Sequence, residues 1–189
     1  MRIGHINLSS HISAAEEQLV ILVEALTAHN VEQHILVRNP FLAKRLAVCA
    51  AVSVGPIVRS SLTALLLMPA VDLIHTHDRK ALNTGLLLAL TRSIPFVLTH
   101  RRCSVPGKNP LTRSKYKRAE GIICPSEKIT TAMADYADGT LVDTIADASN
   151  VDNKIDATNG RIGAARMAAE YLQIYRRTLN SRSVPAMLL

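Results

Sequence analysis

Short aliphatic runs recur along this chain, each followed by residues at helical spacing, and that alternation leaves few folds open. Val71 to Thr76, Pro95 to Thr99 and Gly121 to Cys124 are too short for helices and too evenly apolar for strands with one wet face. Buried parallel strands read this way because helices cover both faces of their sheet. Aromatic residues make up only 3% of the chain, with no Trp, against 48% apolar residues, so the core must be built from Leu, Ile, Val and Ala. The pattern predicts an α/β fold, a single Rossmann-like, doubly wound, mostly parallel sheet with helices on both faces. A second full domain does not fit in 189 residues.

Arg2 to Asn7 reads as the first strand. Ser13 with Glu16 forms a capping box, and Leu19, Leu22, Val23 and Leu26 carry a helix to about Ala28. Gln33 to Arg38 is a second strand, and the breaker Asn39-Pro40 leads into a short helix from Phe41 to Val48. Val52 to Val54, Ser61 to Met68 and Val71 to Thr76 repeat strand, helix, strand, and a Leu-rich helix runs from Arg79 to Thr91. Ser126 is placed to cap a helix to Tyr136, and Leu141 to Ile145 is a last strand. The domain covers 1–150, an acidic linker 151–160, an amphipathic helix 161–180 and a tail 181–189. Ala165, Ala168, Leu172, Tyr175 and Leu179 form one stripe of that helix, which packs it back on the domain.

Several classes are disfavoured. Cys49, Cys103 and Cys124 are odd in number and widely spaced, which suggests neither a disulfide framework nor a zinc knuckle, and points to a reducing cytosol. Met1 to His5 enters a strand without a signal peptide's apolar core. The longest apolar stretch, Leu46 to Val58, is interrupted by Ser53, Gly55 and Pro56 and is too short to span a bilayer. A cytoplasmic protein is expected, with peripheral contact to the inner face of an anionic membrane. Net charge is +7, and from Arg79 to Arg118 ten basic residues occur with no Asp or Glu. Such a run favours anionic partners or is simply a solvated face. Nucleic acid is disfavoured as a partner because only Phe96 and Tyr116 could stack on bases there.

Ligands of doubly wound sheets collect at the carboxyl ends of the strands. Val71 to Ile74 runs into His75-Thr76-His77-Asp78, and Pro95 to Leu98 runs into Thr99-His100-Arg101-Arg102. His11 follows the first strand, so strand direction alone brings His11, His77, His100 and Arg101 to one cleft. Ordinary hydrogen bonding at strand ends is the plainer reading of these histidines. His75 and His77 point the same way, but no third metal ligand stands at suitable spacing, and no metal is expected. Cys103 has no nameable base, and Ser126 lacks a nucleophile elbow. Neither a P-loop nor a G-x-G-x-x-G fingerprint occurs, which argues against a self-sufficient nucleotide site.

Together these pieces resemble the N-terminal domain of family 4 retaining glycosyltransferases, two-domain enzymes of the GT-B fold. The resemblance rests on the helix start Ala14-Ala15-Glu16-Glu17-Gln18, on His75-Thr76-His77-Asp78, on Thr99-His100-Arg101-Arg102, on Lys115 to Ser126 and on a weaker Val142 to Ile145. Ala164 to Leu179 looks like the family's terminal helix, which crosses back onto the N-terminal domain. The family's first loop carries adjacent glycines; here Ile12-Ser13-Ala14-Ala15 stands instead, and its side chains restrict approach to a diphosphate. The donor-binding domain, on the order of 150 residues, has no counterpart between about Asn153 and Gly160. Glu16 and Glu24 match the spacing of its glutamate pair only by coincidence.

The resemblance implies the acceptor-binding half of a nucleotide-sugar-dependent glycosyltransferase in envelope polysaccharide or lipopolysaccharide assembly. Such a half binds no cofactor alone, takes a nucleotide sugar as co-substrate only with a donor-domain partner, and is inactive by itself. His100 and Asp78 would be the catalytic pair. His11, His77, Arg101, Arg102, Lys108 and Arg113 would hold a sugar or phosphorylated glycolipid acceptor. The exposed cleft face would meet a donor-domain protein or close as a homodimer. A non-catalytic or regulatory module binding anionic glycans or a membrane surface is the alternative.

Overall fold

A computed structural model describes residues 1–107, 109–148 and 157–183, with side chains of the last segment described for 161–182. Seven strands form one sheet: β1 (Arg2–Asn7), β2 (Glu32–Val37), β3 (Val52–Val54), β4 (Leu73–Thr76), β5 (Phe96–Thr99), β6 (Gly121–Cys124) and β7 (Val142–Thr144). Their order is β3-β2-β1-β4-β5-β6-β7, and every pairing is parallel. The chain reverses direction across the sheet between β1 and β4, which is the switch point where a doubly wound sheet opens a crevice.

Helices α1 (Ala14–Thr27), α2 (Pro40–Leu46) and α7 (Ala157–Ser183) cover one face. The other face is covered by α3 (Ser61–Leu67), α4 (Ala81–Arg92), α5 (Pro110–Lys117) and α6 (Glu127–Tyr136). Strand alternation divides the core accordingly. Ile6, Ile74, Phe96, Leu98 and Ile122 point to α3–α6, while Ile3, Leu73, Val97 and Ile123 point to α1 and α7. Gly85 lets α4 settle on the sheet, because a Cβ there would stand 2.9 Å from Thr76 Cγ2 and 3.0 Å from Phe96 Cδ2.

The local signals explain the helix starts. Ser13 and Glu16 form the reciprocal capping box of α1, and Asn39 Oδ1 accepts from the amides of Phe41 and Leu42 with Pro40 in the first turn. Ser126 stands before α6, but only its carbonyl serves the helix; its side chain makes no cap bond. The α5 helix is started by Asn109-Pro110, the same device as α2. The terminal helix begins at Ala157, inside the segment read as linker. Its Tyr171 and Tyr175 are fully enclosed over β4 and β5, and Arg177 and Arg182 pair with Asp143 and Glu120. After β7 the chain is held to α1 by Gln18, whose amide donates to the Ala148 carbonyl at 2.8 Å and accepts its N–H at 3.0 Å. Among the described residues no helix is long and apolar enough to cross a membrane.

Candidate functional site

Three loops meet at the carboxyl ends of β1, β4 and β5, and two carboxylates, half-buried Asp78 and buried Glu16, fix how they meet. One oxygen of Asp78 accepts the Leu8 amide; the other accepts the amides of Lys80 and Ala81 at 2.7 and 3.1 Å. It thereby ties the loop after β1 to the start of α4. Burial raises the Asp78 carboxyl above the usual carboxylate range, and those backbone N–H groups work against the rise. Glu16 takes Asn7 Nδ2 at 3.1 Å and the Ser13 amide at 2.9 Å, and Asn39 Nδ2 donates to the Ser10 carbonyl. The loop of residues 8–13 is therefore pinned from several sides.

Two adjoining cavities open along this edge. One, of about 600 Å³, is lined by Ser9, Ser10, His11, Asp78, Arg79, Lys80, Arg102, Lys115 and Tyr116 among others. The other, of about 330 Å³, is lined by His77, Asp78, His100, Arg101, Arg102 and Ser104 among others, and shares Ser9, Arg79 and Tyr116 with the first. Strand direction thus brings together His11, His77, Asp78, His100, Arg101 and Arg102. Arg113 lines neither cavity; its Nε donates to the Tyr136 carbonyl at 3.1 Å. Lys108 lies outside the described residues. The sequence reading took Arg79, Lys80 and Lys115 as members of the basic run that favours anionic partners and did not single them out at this edge. The run Asp78-Arg79-Lys80 directly after a strand was the signal for two of them, and the unrecognised α5 carries the third, whose Nζ donates to Asn83 Oδ1 at 2.7 Å.

Positive charge here comes from arginine and lysine, not histidine. His100 is buried; its Nε2 lies 3.3 Å from the Ser104 carbonyl and its Nδ1 3.4 Å from the Tyr116 hydroxyl. The Nε2 nitrogen must donate to a carbonyl, so Nδ1 accepts from Tyr116. Burial lowers the His100 pKa and pushes the Tyr116 hydroxyl up to about 12, which keeps both neutral at pH 7. Arg101 pairs with Asp147 at the cavity margin. Among the described residues, Arg79, Lys80, Arg102 and Lys115 form no ion pair with a carboxylate.

Behind the smaller cavity lies a buried cluster of His5, His75 and His77. His5 faces His75 across the β1–β4 ladder, a neighbour that spacing along the chain could not show, and the ring centroids of His75 and His77 are 3.9 Å apart. His5 supplies the third imidazole, and one ring nitrogen from each lies within 4.8 Å of the others. The chemistry of the set favours hydrogen bonding over a cation. Both nitrogens of His75 are engaged, Nδ1 with Tyr175 and Nε2 with Thr99, each at 2.7 Å. His5 Nδ1 and His77 Nε2 are likewise engaged with each other, at 3.0 Å. Burial holds all three rings neutral, with the His5 pKa lowered to about 3.

No protein-family model and no curated protein matches this sequence. Among solved structures the chain is similar to Anabaena HepE in complex with UDP-glucose, with a TM-score of 0.61, 17% identity, and coverage of 79% of this chain and 44% of that one. The same protein with UDP gives 0.58 at 17% identity, and with UDP and glucose 0.55 at 16% identity. The likeness is one of fold. This chain spans less than half the length of HepE, 44–45%. The likeness bears out the α/β fold that the alternation of strands and helices predicts.

Proposed function

We propose that this chain is the acceptor-binding half of a glycosyltransferase-like protein related to family 4, and that the cleft over β1, β4 and β5 binds a phosphorylated sugar or glycolipid acceptor. The observation that carries this reading is the cluster of Arg79, Lys80, Arg102 and Lys115 around one cavity, with no carboxylate paired to any of them among the described residues. Phosphate oxygens are the natural partners of such unpaired guanidinium and ammonium groups. His100 supplies a neutral hydrogen-bonding ring at the cavity wall. Asp78, whose oxygens already accept three amides, acts by holding the loops in place and not as a base. HepE is bound to UDP-glucose, UDP and glucose, which fits a role for this fold beside a nucleotide sugar. A donor domain would come from a separate chain or a second copy, in envelope glycan assembly on the inner membrane face.

The test is calorimetric titration of the chain with glucose 1-phosphate and with inorganic phosphate. Binding is expected, and Arg102→Ala should weaken it at least about tenfold, the effect of one charge-assisted hydrogen bond. No binding, or an unchanged affinity in the variant, sinks the reading. Turnover of UDP-glucose by the isolated chain would remove the requirement for a partner.

One observation favours a non-catalytic binding module instead. The first loop is filled by Ser9, Ser10, His11 and Ile12 and fastened by Asp78, Glu16 and Asn39, so backbone cannot close on a diphosphate there. On that reading the chain, given any donor-domain partner, binds glucose 1-phosphate but transfers nothing.

A further inference from the structure

His77 is the member of the buried histidine cluster that reaches the smaller cavity. Its Nε2 lies 3.0 Å from His5 Nδ1, and among the described residues its Nδ1 has no hydrogen-bond partner. Which of the two nitrogens carries the proton decides what His77 offers a ligand, and the answer lies two strands away.

The other nitrogen of His5, Nε2, is buried without a partner, and so is Oε1 of Gln33 on the adjacent strand. The Gln33 amide is oriented by its own Nε2, which donates to the Val23 carbonyl at 2.9 Å, so Oε1 is the atom left over. The two side chains stand on the same face of paired strands, diagonally across the β1–β2 ladder where Ile3 pairs with Gln33 and His5 with Ile35, and Gln33 acts on His5 as a hydrogen-bond partner. An amide oxygen only accepts, so the proton of His5 sits on Nε2. A neutral His5 then has its lone pair on Nδ1 and accepts from His77 Nε2–H. A neutral His77 in turn carries its lone pair on Nδ1. The opposite arrangement sets the His5 Nε2 lone pair against the Gln33 oxygen and leaves two buried acceptors unsatisfied. His75 does not disturb the chain, because Tyr175 and Thr99 occupy both its nitrogens.

We propose that Gln33 is a positioning residue for the cleft: through His5 it holds the His77 proton on Nε2, and the bare Nδ1 accepts a hydrogen bond from a ligand hydroxyl. The His77 subsite then takes an alcohol of a sugar or polyol, not an unprotonated phosphate or carboxylate oxygen, which would meet it lone pair to lone pair. With the basic residues of the neighbouring cavity, and resting for this part on the proposed function, the ligand is a hydroxyl-bearing phosphate ester.

The experiment is a long-range proton–nitrogen correlation spectrum of the full chain labelled with ¹⁵N-histidine at neutral pH. In the unliganded protein, His5 and His77 should each show a protonated Nε2 and a bare Nδ1. Gln33→Met removes the terminal acceptor, so both rings should change to the Nδ1–H tautomer, whereas Gln33→Glu should retain the original pattern. A proton on His77 Nδ1 in the wild type, or a tautomer indifferent to Gln33→Met, overturns the proposal; the wild-type spectrum alone decides it if the variant does not fold. Saturating glucose 1-phosphate should shift His77 Nδ1, and sulfate, an oxyanion with no hydroxyl proton at neutral pH, should not. Failure of both to bind overturns the proposed function only, because the tautomer is read without ligand.

Discussion

Beneath α3 to α6 the middle of the sheet is apolar. Ile6, Leu36, Ile74, Phe96, Leu98 and Ile122 line it; Thr76 spends its hydroxyl on the Val97 carbonyl, and His34, half-buried, stands towards the edge on β2. Beneath α1 and α7 the same strands change character halfway along: Ile3, Leu73 and Val97 occupy the amino-terminal part, and His5, His75, His77 and Thr99 the carboxyl-terminal part. The first face is held by burial alone, which tolerates exchange among residues of similar volume. The second is held by directional bonds with one satisfactory arrangement, and it borders the cleft. Both faces bury a large apolar core, and the second adds a polar network that defines the geometry beside the cleft.

The largest expected effect attacks the apolar face. Phe96 is fully buried and packs under Gly85, so Phe96→Ala should cost about 3–5 kcal/mol by urea denaturation. Its effect on the cleft should be no more than that of lost stability. A smaller loss would mean that the two faces share the load.

Acid should attack the other face. The His5 pKa lies near 6.5 unfolded and about 3 folded. Below about pH 6.5 the unfolded chain takes up a proton that the folded chain refuses, so the stabilisation is complete above that pH and is lost as pH falls. From about pH 6.5 to about pH 5, His5 alone should cost roughly 2 kcal/mol, and His75 and His77 act in the same direction. Asp78, raised by burial, acts oppositely and nearer its own range. Denaturation midpoints across this window check the slope, which should flatten in His5→Asn.

These two faces also mark what the sequence could disclose. Hydrophobic runs and caps are local, so the α/β alternation, the capping box at Ser13 and the edge where ligands gather could all be read along the chain. His75 and His77, two apart on one strand, were legible as a pair. Their third partner His5 lies seventy residues earlier, and only the placement of β1 beside β4 joins them. Gln33 and Tyr175 were hidden for the same reason: their roles depend on neighbours set by strand order and by the return of α7. Lys115 was legible only as one of a basic run, because Asn109-Pro110 was not read as a helix start, although Asn39-Pro40 had been read so.

Tyr175→Phe sharpens the comparison at a lower cost. It removes the hydroxyl 2.7 Å from His75 Nδ1 while keeping the ring, and should destabilise by about 1–3 kcal/mol by leaving a buried nitrogen unsatisfied. The double variant His75→Leu with Tyr175→Phe should recover part of that loss, since an apolar pair demands no partner. A double variant less stable than Tyr175→Phe alone would mean that His75 is needed through Thr99 as well.

The smallest effect contrasts the two ends of the strands. Basic side chains occur at both, but at the amino-terminal end Arg182 already donates to Glu120 and to the Ser93 carbonyl, both partly exposed to water. Such a pair contributes less than about 1 kcal/mol, because solvent screens it and two flexible side chains must be held. Arg182→Ala should therefore change stability by no more than that and leave phosphate binding untouched. Arg102 has no carboxylate to give up before it meets an anion, whereas Arg182 does. Equal losses of phosphate affinity in Arg102→Ala and Arg182→Ala would make binding a property of net charge, and the cleft would lose its claim to the ligand.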